Sequence, residues 1–310
     1  MTLLACCFAA LRARRAFVAF VVLMCLVPVG VASALATHAG GVVGVRSGGG
    51  VQWRPASYRV DGVYAIRSAM IRTGSGAVAY AALVDHTRTR LALYPGLSDP
   101  PSARPRGLGE VPYGQRWRLL ATFNSGFQAA AGAGGVLING HANIPLRRGL
   151  GTVVVYWSGQ VDIVSWDGPP ASRAIVLARQ NLPLIVDAGR PNRRLSDGPA
   201  WGATLHSATS VWRSAIGINR NGDLLYAAAD GQTAPSLARL MVRLGAIRAI
   251  ELDINPEWPS FNSYLRRGGR DPIKLLPNPQ QGPNRWLSPD SREFFAIYTR
   301  KGGSPAVPFR

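Results

Sequence analysis

Cysteine is nearly absent: the three in 310 residues, Cys6, Cys7 and Cys25, all lie near the N-terminus. Beyond them the chain can form no disulfide and offers no thiol nucleophile, so its stability has to come from a packed core. Lysine is almost missing as well, with Lys274 and Lys301 the only two among 35 basic residues. Acids number 16, and none precedes Asp61. The few histidines, His86, His141 and His206 among them, are scattered, and neither an H-E-x-x-H pair nor a G-x-S-x-G elbow occurs. These gaps argue against a zinc hydrolase or a serine hydrolase. No cofactor is expected, with a divalent cation left open.

What is present begins with an N-terminal leader. Arg12, Arg14 and Arg15 precede an uncharged run from Ala16 to Ala36 that closes on Ala34-Leu35-Ala36. That order is an n-region, an apolar stretch and an A-x-A-like cleavage site. The run is also long enough to span a bilayer, so residues 1–36 read as a signal peptide or an N-terminal membrane anchor. Either reading places the rest outside the cytoplasm, secreted or tethered to the membrane. Residues 37–50 contain six glycines and form an expected flexible linker. The remaining 51–310 are expected to fold as one domain.

Without the three leader arginines, the formal charge falls from +19 to +16. Such a surface favours anionic partners, including an anionic cell envelope, and export removes nucleic acid from the list. An arginine-rich composition explains the same charge without any partner.

The domain alternates short β-like runs with glycine and proline punctuation, among them Ala77–Val84, Arg90–Tyr94, Arg118–Phe123, Thr152–Trp157 and Leu224–Ala228. Ser158-Gly159 and Asn221-Gly222 mark two hairpins. In "TAPSLARLMVRLGA", Leu237, Leu240, Met241 and Leu244 recur at helical spacing, with Thr233 placed to cap, Pro235 in the first turn and Gly245 at the stop. The fold class is therefore α+β: a mixed, largely antiparallel sheet with packed helices.

Ile247 to Ile254 switches to period two, so Glu251 and Asp253 share one face and Ile250, Leu252 and Ile254 the other. The acidic face is expected to be solvated or to line a cleft. Same-face carboxylates on a strand lie roughly 6.5 to 7 Å apart, near the spacing of a glycosidase pair that works through water. Surface strands also carry Glu-x-Asp without any function. The loop that follows, Asn255-Pro256-Glu257-Trp258-Pro259, adds a third acid and an aromatic face on which a sugar can stack. Trp258 can equally fasten the loop. Arg190 in "DAGR" and Arg213 before "SAIGI" are candidate phosphate forks. Asn124 in "TFNSGF" and Asn139 in "LINGH" sit where strands break into glycine turns, which turn chemistry also explains.

Several stretches, in order, resemble the phosphodiester glycosidase family: "AYAALVDHTRTRLALYPG", "ATFNSGFQ", "GVLINGH", "DAGR", "RSAIGINRNGDLLYAAADGQ", then the helix and "LGAIRAIELD". The resemblance runs from about Ala77 to Asn255. It implies hydrolysis of a sugar joined through its anomeric carbon to a phosphodiester, with Asn124, Gly126, Asn139, Arg213, Asp230 and Asp253 at the family's motif positions. The family follows its strand aspartate with glycines and serine, whereas Ile254, Asn255, Pro256 and Glu257 follow Asp253, and Ser125 replaces a family glycine.

Two readings follow. The first is an exported hydrolase acting on a glycosyl phosphodiester of the envelope. Asp253 with Glu251 or Glu257 would do its acid/base work, and Arg213 and Arg190, with Asn255 and Trp258, would hold the substrate. The second is a non-catalytic module that binds envelope glycans or polyanions.

Overall fold

The computed structural model describes residues 50–104, 106–128, 131, 134–168, 174–196, 198–278 and 280–300. By its internal contacts the chain divides into Met1–Gly44 and Val45–Arg310. The expected leader 1–36, and nearly all of the linker 37–50, lie outside the described residues. Among those described, no helix is long and apolar enough to cross a membrane.

Three antiparallel sheets make up the described fold. In spatial order the first holds β1 (Arg54–Pro55), β4 (Ile66–Arg72), β5 (Val78–Val84), β16 (Leu224–Gln232), β15 (Val211–Ile218), β17 (Arg248–Glu251), β13 (Val186–Asp187) and β14 (Arg190–Pro191). The second holds β11 (Val161–Ser165), β10 (Gly151–Tyr156), β12 (Ile175–Gln180), β8 (Val136–Ile138) and β9 (His141–Ile144). The third holds β19 (Arg270–Lys274), β18 (Phe261–Arg266), β7 (Leu119–Asn124), β20 (Phe294–Thr299) and β6 (Thr89–Tyr94). A small ribbon pairs β2 (Arg59–Val60) with β3 (Val63–Tyr64). The fold is α+β and dominated by antiparallel sheet.

One core joins the three sheets. Ile216, Tyr226 and Ile250 of the first sheet meet Val153, Val155 and Leu177 of the second and Leu93, Phe123, Phe295 and Ile297 of the third. Phe123 stacks between Phe261 and Phe295, with ring centroids 5.7 and 5.1 Å away. Strands this enclosed lose their alternation. Every side chain of β7, β12 and β20 is buried, and each reads as a continuous apolar or mixed run.

The helix α1 (Ala234–Arg243) covers the other face of the first sheet. Leu237, Leu240 and Met241 lie on Leu225 and on Ala215, Ala227 and Ala229, whose short side chains let the helix approach. Gly217 of β15 belongs to the same fit, because a Cβ there would come within 2.8 Å of Met241 Cε and 2.9 Å of the Arg248 carbonyl. Both helix ends follow local chemistry. Thr233 and Ser236 form a reciprocal capping box, and Gly245 takes φ +96° just past the C-cap Leu244.

The strands run between two poles. At one, the C-terminal ends of β7, β12 and β17 meet the starts of β15 and β20. At the other lie the hairpin turns β10–β11 and β15–β16 and the opposite ends of β6 and β20.

Thr233→Ala removes one half of the capping box and should cost about 1 kcal/mol. A urea midpoint unchanged in this variant would contradict the role given to the cap.

Candidate active site

The first pole gathers charge that has been taken out of water. β17 ends at Glu251, which is 0% exposed, and its Oε1 is paired with Nη1 of Arg213, itself 1% exposed. Arg213 also donates from Nη1 to the Trp201 carbonyl at 2.7 Å and from Nη2 to those of Gly202 and Thr209, both at 2.8 Å. Its Nε reaches the carbonyls of Gln232 at 2.9 Å and Thr209 at 3.1 Å. Every guanidinium N–H is engaged, so in this arrangement Arg213 has no donor left for a bound phosphate. The other Glu251 oxygen, Oε2, is buried with no hydrogen-bond partner among the described residues. Burial pushes the Glu251 carboxyl up to about 7, against the pull of Arg213 and with a further push from Asp253. The period-two pattern expected Glu251 on a solvated or cleft-lining face; instead it is sealed inside.

Asp253 lies two residues past the strand and is pinned through its backbone. Its N–H donates to the Ser125 carbonyl at 3.1 Å, and its carbonyl accepts the Ser214 hydroxyl at 2.7 Å. Oδ1 accepts the Asn255 N–H at 3.0 Å, and Oδ2 accepts Nη2 of Arg292 at 2.6 Å. At 5% exposed, Asp253 borders the surface loop Asn255–Trp258 rather than the core. Burial raises its pKa, opposed first by Arg292 and then by the backbone N–H groups.

Two guanidiniums flank the half-buried Trp258, Arg285 and Arg292 each lying 5.0 Å from its ring centroid. Arg292 also reaches the Gly126 carbonyl at 3.3 Å. Arg285 is held by Asp290 at 2.7 Å and donates to the Trp258 carbonyl at 3.2 Å and the Ser260 hydroxyl at 3.3 Å. Behind them, Arg179 pairs with the buried Glu293 and donates to the Phe127 carbonyl at 2.6 Å.

Asn124 ties these pieces together. Its Nδ2 donates to the Ser125 carbonyl and the Ser214 hydroxyl, both at 3.0 Å, while Oδ1 accepts the Tyr226 hydroxyl at 2.9 Å and the Ser260 N–H at 3.1 Å. All four of its hydrogen-bonding positions are filled from within the protein. Gly126 is small for a local reason: a Cβ would sit 3.3 Å from Asn181 Cγ and 3.4 Å from the Arg179 guanidinium carbon.

The structure therefore brings Asn124, Gly126, Arg213, Glu251, Asp253, Asn255 and Trp258 to one pole. Glu257 is exposed on the same loop, its N–H on Asn255 Oδ1 at 3.1 Å. Asn139 lies elsewhere. It occupies the β8–β9 turn at φ +52°, beyond Ile138, which pairs with Leu177, whereas the Arg179 end of β12 faces Val136. Asp230 is exposed and its Oδ1 accepts the Gly231 N–H at 2.7 Å. Arg190 is exposed and lines a cleft of about 590 Å³ with Asp187, Arg193, Arg194 and Trp201, the last of which Arg213 holds through its carbonyl. The cluster members that sequence reasoning did not select are Arg179, Arg285, Arg292, Glu293, Ser214 and Asp99, whose Oδ2 lies 3.6 Å from Nε of Arg292. Apart from the Arg285–Asp290 pair, five residues apart, each meets its side-chain partners across a long stretch of chain, so no local spacing marks it.

Asp85, His86 and Asp223 also come together closely enough to hold a cation. Their oxygens are already engaged, Asp85 by Thr87 and Arg88, and Asp223 by His86 and Asn219.

Residues 119–253, under half of the chain, match the phosphodiester glycosidase (NAGPA) family profile. Among solved structures, the catalytic domain of zebrafish N-acetylglucosamine-1-phosphodiester alpha-N-acetylglucosaminidase, auto-inhibited by its pro-peptide, is 16% identical with a TM-score of 0.49. That alignment covers 81% of this chain and 88% of the other. A hypothetical protein from Synechocystis is also 16% identical, with a TM-score of 0.45 and coverage of 80% and 64%. No curated protein matches the chain. The class these findings define is a distant, partial likeness to the phosphodiester glycosidases, and to no specific member of that family.

Removing one partner of a buried pair leaves an uncompensated charge, so Arg213→Met should cost about 3 to 5 kcal/mol in urea unfolding. Because the Glu251 pKa is raised from 4.5 to about 7 on folding, the folded state holds the extra proton, and this group's contribution to stability falls as pH rises through that window. Glu251→Gln should flatten that slope. Parallel pH–stability curves for the two proteins would refute the assignment.

Proposed function

We propose that the protein is an extracytoplasmic hydrolase of the phosphodiester glycosidase kind, which releases a sugar from a glycosyl phosphodiester at the pole holding Asp253. One observation carries this reading: a carboxylate under the surface loop, paired with Arg292, lies near an indole flanked by two guanidiniums. The family match over 119–253 ends on that aspartate.

The chemistry needs few parts. The leaving group is a phosphate monoester, already a weak base, so it departs with little protonation. Asp253 is the carboxylate that takes the proton of the attacking water, or itself attacks the anomeric carbon. Arg292 keeps Asp253 oriented and, with Arg285, presents positive charge where the phosphate gathers negative charge. Trp258 offers the sugar an apolar face. Glu251 and Arg213 act from behind, fixing the end of β17, and Glu257 is the exposed carboxyl on the loop above. Arg190, Asn139 and Asp230 stand outside this scheme in the structure as described.

A second reading, a glycan-binding module without turnover, is favoured by the closure of the site: both Asp253 oxygens and all Arg213 donors already have partners within the protein.

The full chain should release free sugar from a glycosyl 1-phosphodiester, with Asp253→Asn lowering kcat by about 100- to 10,000-fold, the usual contribution of a positioned acid or base. Trp258→Ala should act mainly on KM. Equal turnover by Asp253→Asn would remove Asp253 from the reaction. Binding without release, weakened by Trp258→Ala, would establish the module instead.

A further inference from the structure

At the pole opposite Asp253, the turns β10–β11 and β15–β16 and the ends of β6 and β20 enclose a cleft of about 310 Å³. From Arg213 to Ile218 along β15 is five residues, so the cleft lies on the order of 17 Å from the Arg213–Glu251 pair. Its floor is apolar, made by the core side chains Leu91, Leu224 and Ile297, and its rim carries Arg90, Arg220 and Arg300.

The residues lining the cleft include these three arginines and no carboxylate. Arg90 is 7% exposed, and burial followed by the positive groups Arg118 and Arg300 lowers its pKa, opposed by Tyr94 and Tyr298. Arg118 holds the Thr299 carbonyl at 2.8 Å, while its buried Nε has no hydrogen-bond partner among the described residues. Arg300 is set over the β10–β11 turn by a 2.9 Å bond to the Ser158 carbonyl. The nearby carboxylates do not neutralise this rim. Asp85 is held by Arg88 and Thr87, and Asp223 by Asn219 and by His86, which also lines the cleft. Among the described ion pairs, none involves Arg220 or Arg300. Guanidiniums gathered in this way, over a floor that repels water, fit an anion with an apolar body better than a bare ion.

We propose that this cleft is a second ligand site, which takes a small organic phosphate with its phosphoryl group between Arg90, Arg220 and Arg300 and its apolar part on the Leu91–Ile297 floor. The proposal does not depend on any reaction at Asp253. Its ligand can be soluble or the phosphate-bearing end of a larger molecule, and the shared chemistry is the phosphate monoester next to an apolar group.

The test is calorimetric titration of the full chain with phenyl phosphate, inorganic phosphate and phenol, at one ionic strength set with sodium chloride above about 0.1 M so that diffuse charge is screened. Phenyl phosphate should bind at least tenfold more tightly than either fragment. The double variant Arg220→Ala/Arg300→Ala should lose at least tenfold of that affinity while keeping its melting temperature, and Asp253→Asn should bind as the parent does. Should the double variant melt early, Arg220→Ala alone, at an exposed turn, gives the same readout. Undiminished affinity in the arginine variants, equal affinities for phenyl phosphate and inorganic phosphate, or loss of binding in Asp253→Asn would each overturn the proposal.

Discussion

The closing of β17 onto guanidinium groups is the constraint on which the rest of the molecule turns. A strand buried on both faces that ends in carboxylates would leave charge stranded away from water, at a cost of several kcal/mol per ion. Here Glu251 meets Arg213 and Asp253 meets Arg292; Arg213 is itself anchored by carbonyls of the loop before its own strand, and Arg292 by the Gly126 carbonyl. Acids appear in the midst of an apolar run in a strongly basic chain because buried arginines need them. Each pair in turn fixes a loop: Arg213 holds Trp201 to Thr209, and Arg292 holds Gly126 and the indole of Trp258.

That arrangement divides the two acids by role. Glu251 has no path to solvent and shapes the end of the strand. Asp253, displaced past the strand by bonds to Ser125 and Ser214, reaches the surface loop through the Asn255 N–H. The difference comes from where β17 stops. Ala215 pairs with Glu251 as the last rung, after which Leu252 donates to the Ser214 carbonyl and the chain leaves the ladder.

How much of this was legible beforehand depends on whether the cause is local. The helix was, because Thr233, Pro235, Gly245 and the apolar spacing all act within a few residues of one another. The hairpins at Ser158-Gly159 and Asn221-Gly222 were as well, their glycines taking φ of +82° and +89°. β18, β19 and β20 were not, since Phe294–Thr299 has no alternation and its pairing with β7 spans most of the chain. For the candidate site, the pattern singled out Asp253, Asn124 and Trp258, and the family resemblance Gly126; the structure places these four at one pole. The pattern could not deliver Arg292, whose carboxylate partner is 39 residues away in sequence, or Arg285, which meets the Trp258 carbonyl across 27 residues. It also put Glu251 and Asp253 on one accessible face, since period two takes no account of where the ladder ends.

The central claim is that the pole at Asp253, and not the cleft around Arg190, receives the glycosyl phosphate. The most direct measurement is a crystal structure of the protein with a glycosyl phosphonate, a diester mimic that cannot be cleaved at the anomeric bond. The account predicts the sugar on Trp258, with its anomeric carbon at the Asp253 carboxylate and the phosphonate oxygens on Arg292 or Arg285. Electron density for the ligand among Arg190, Arg193 and Arg194 instead, with the Asp253–Arg292 pair undisturbed, would contradict it.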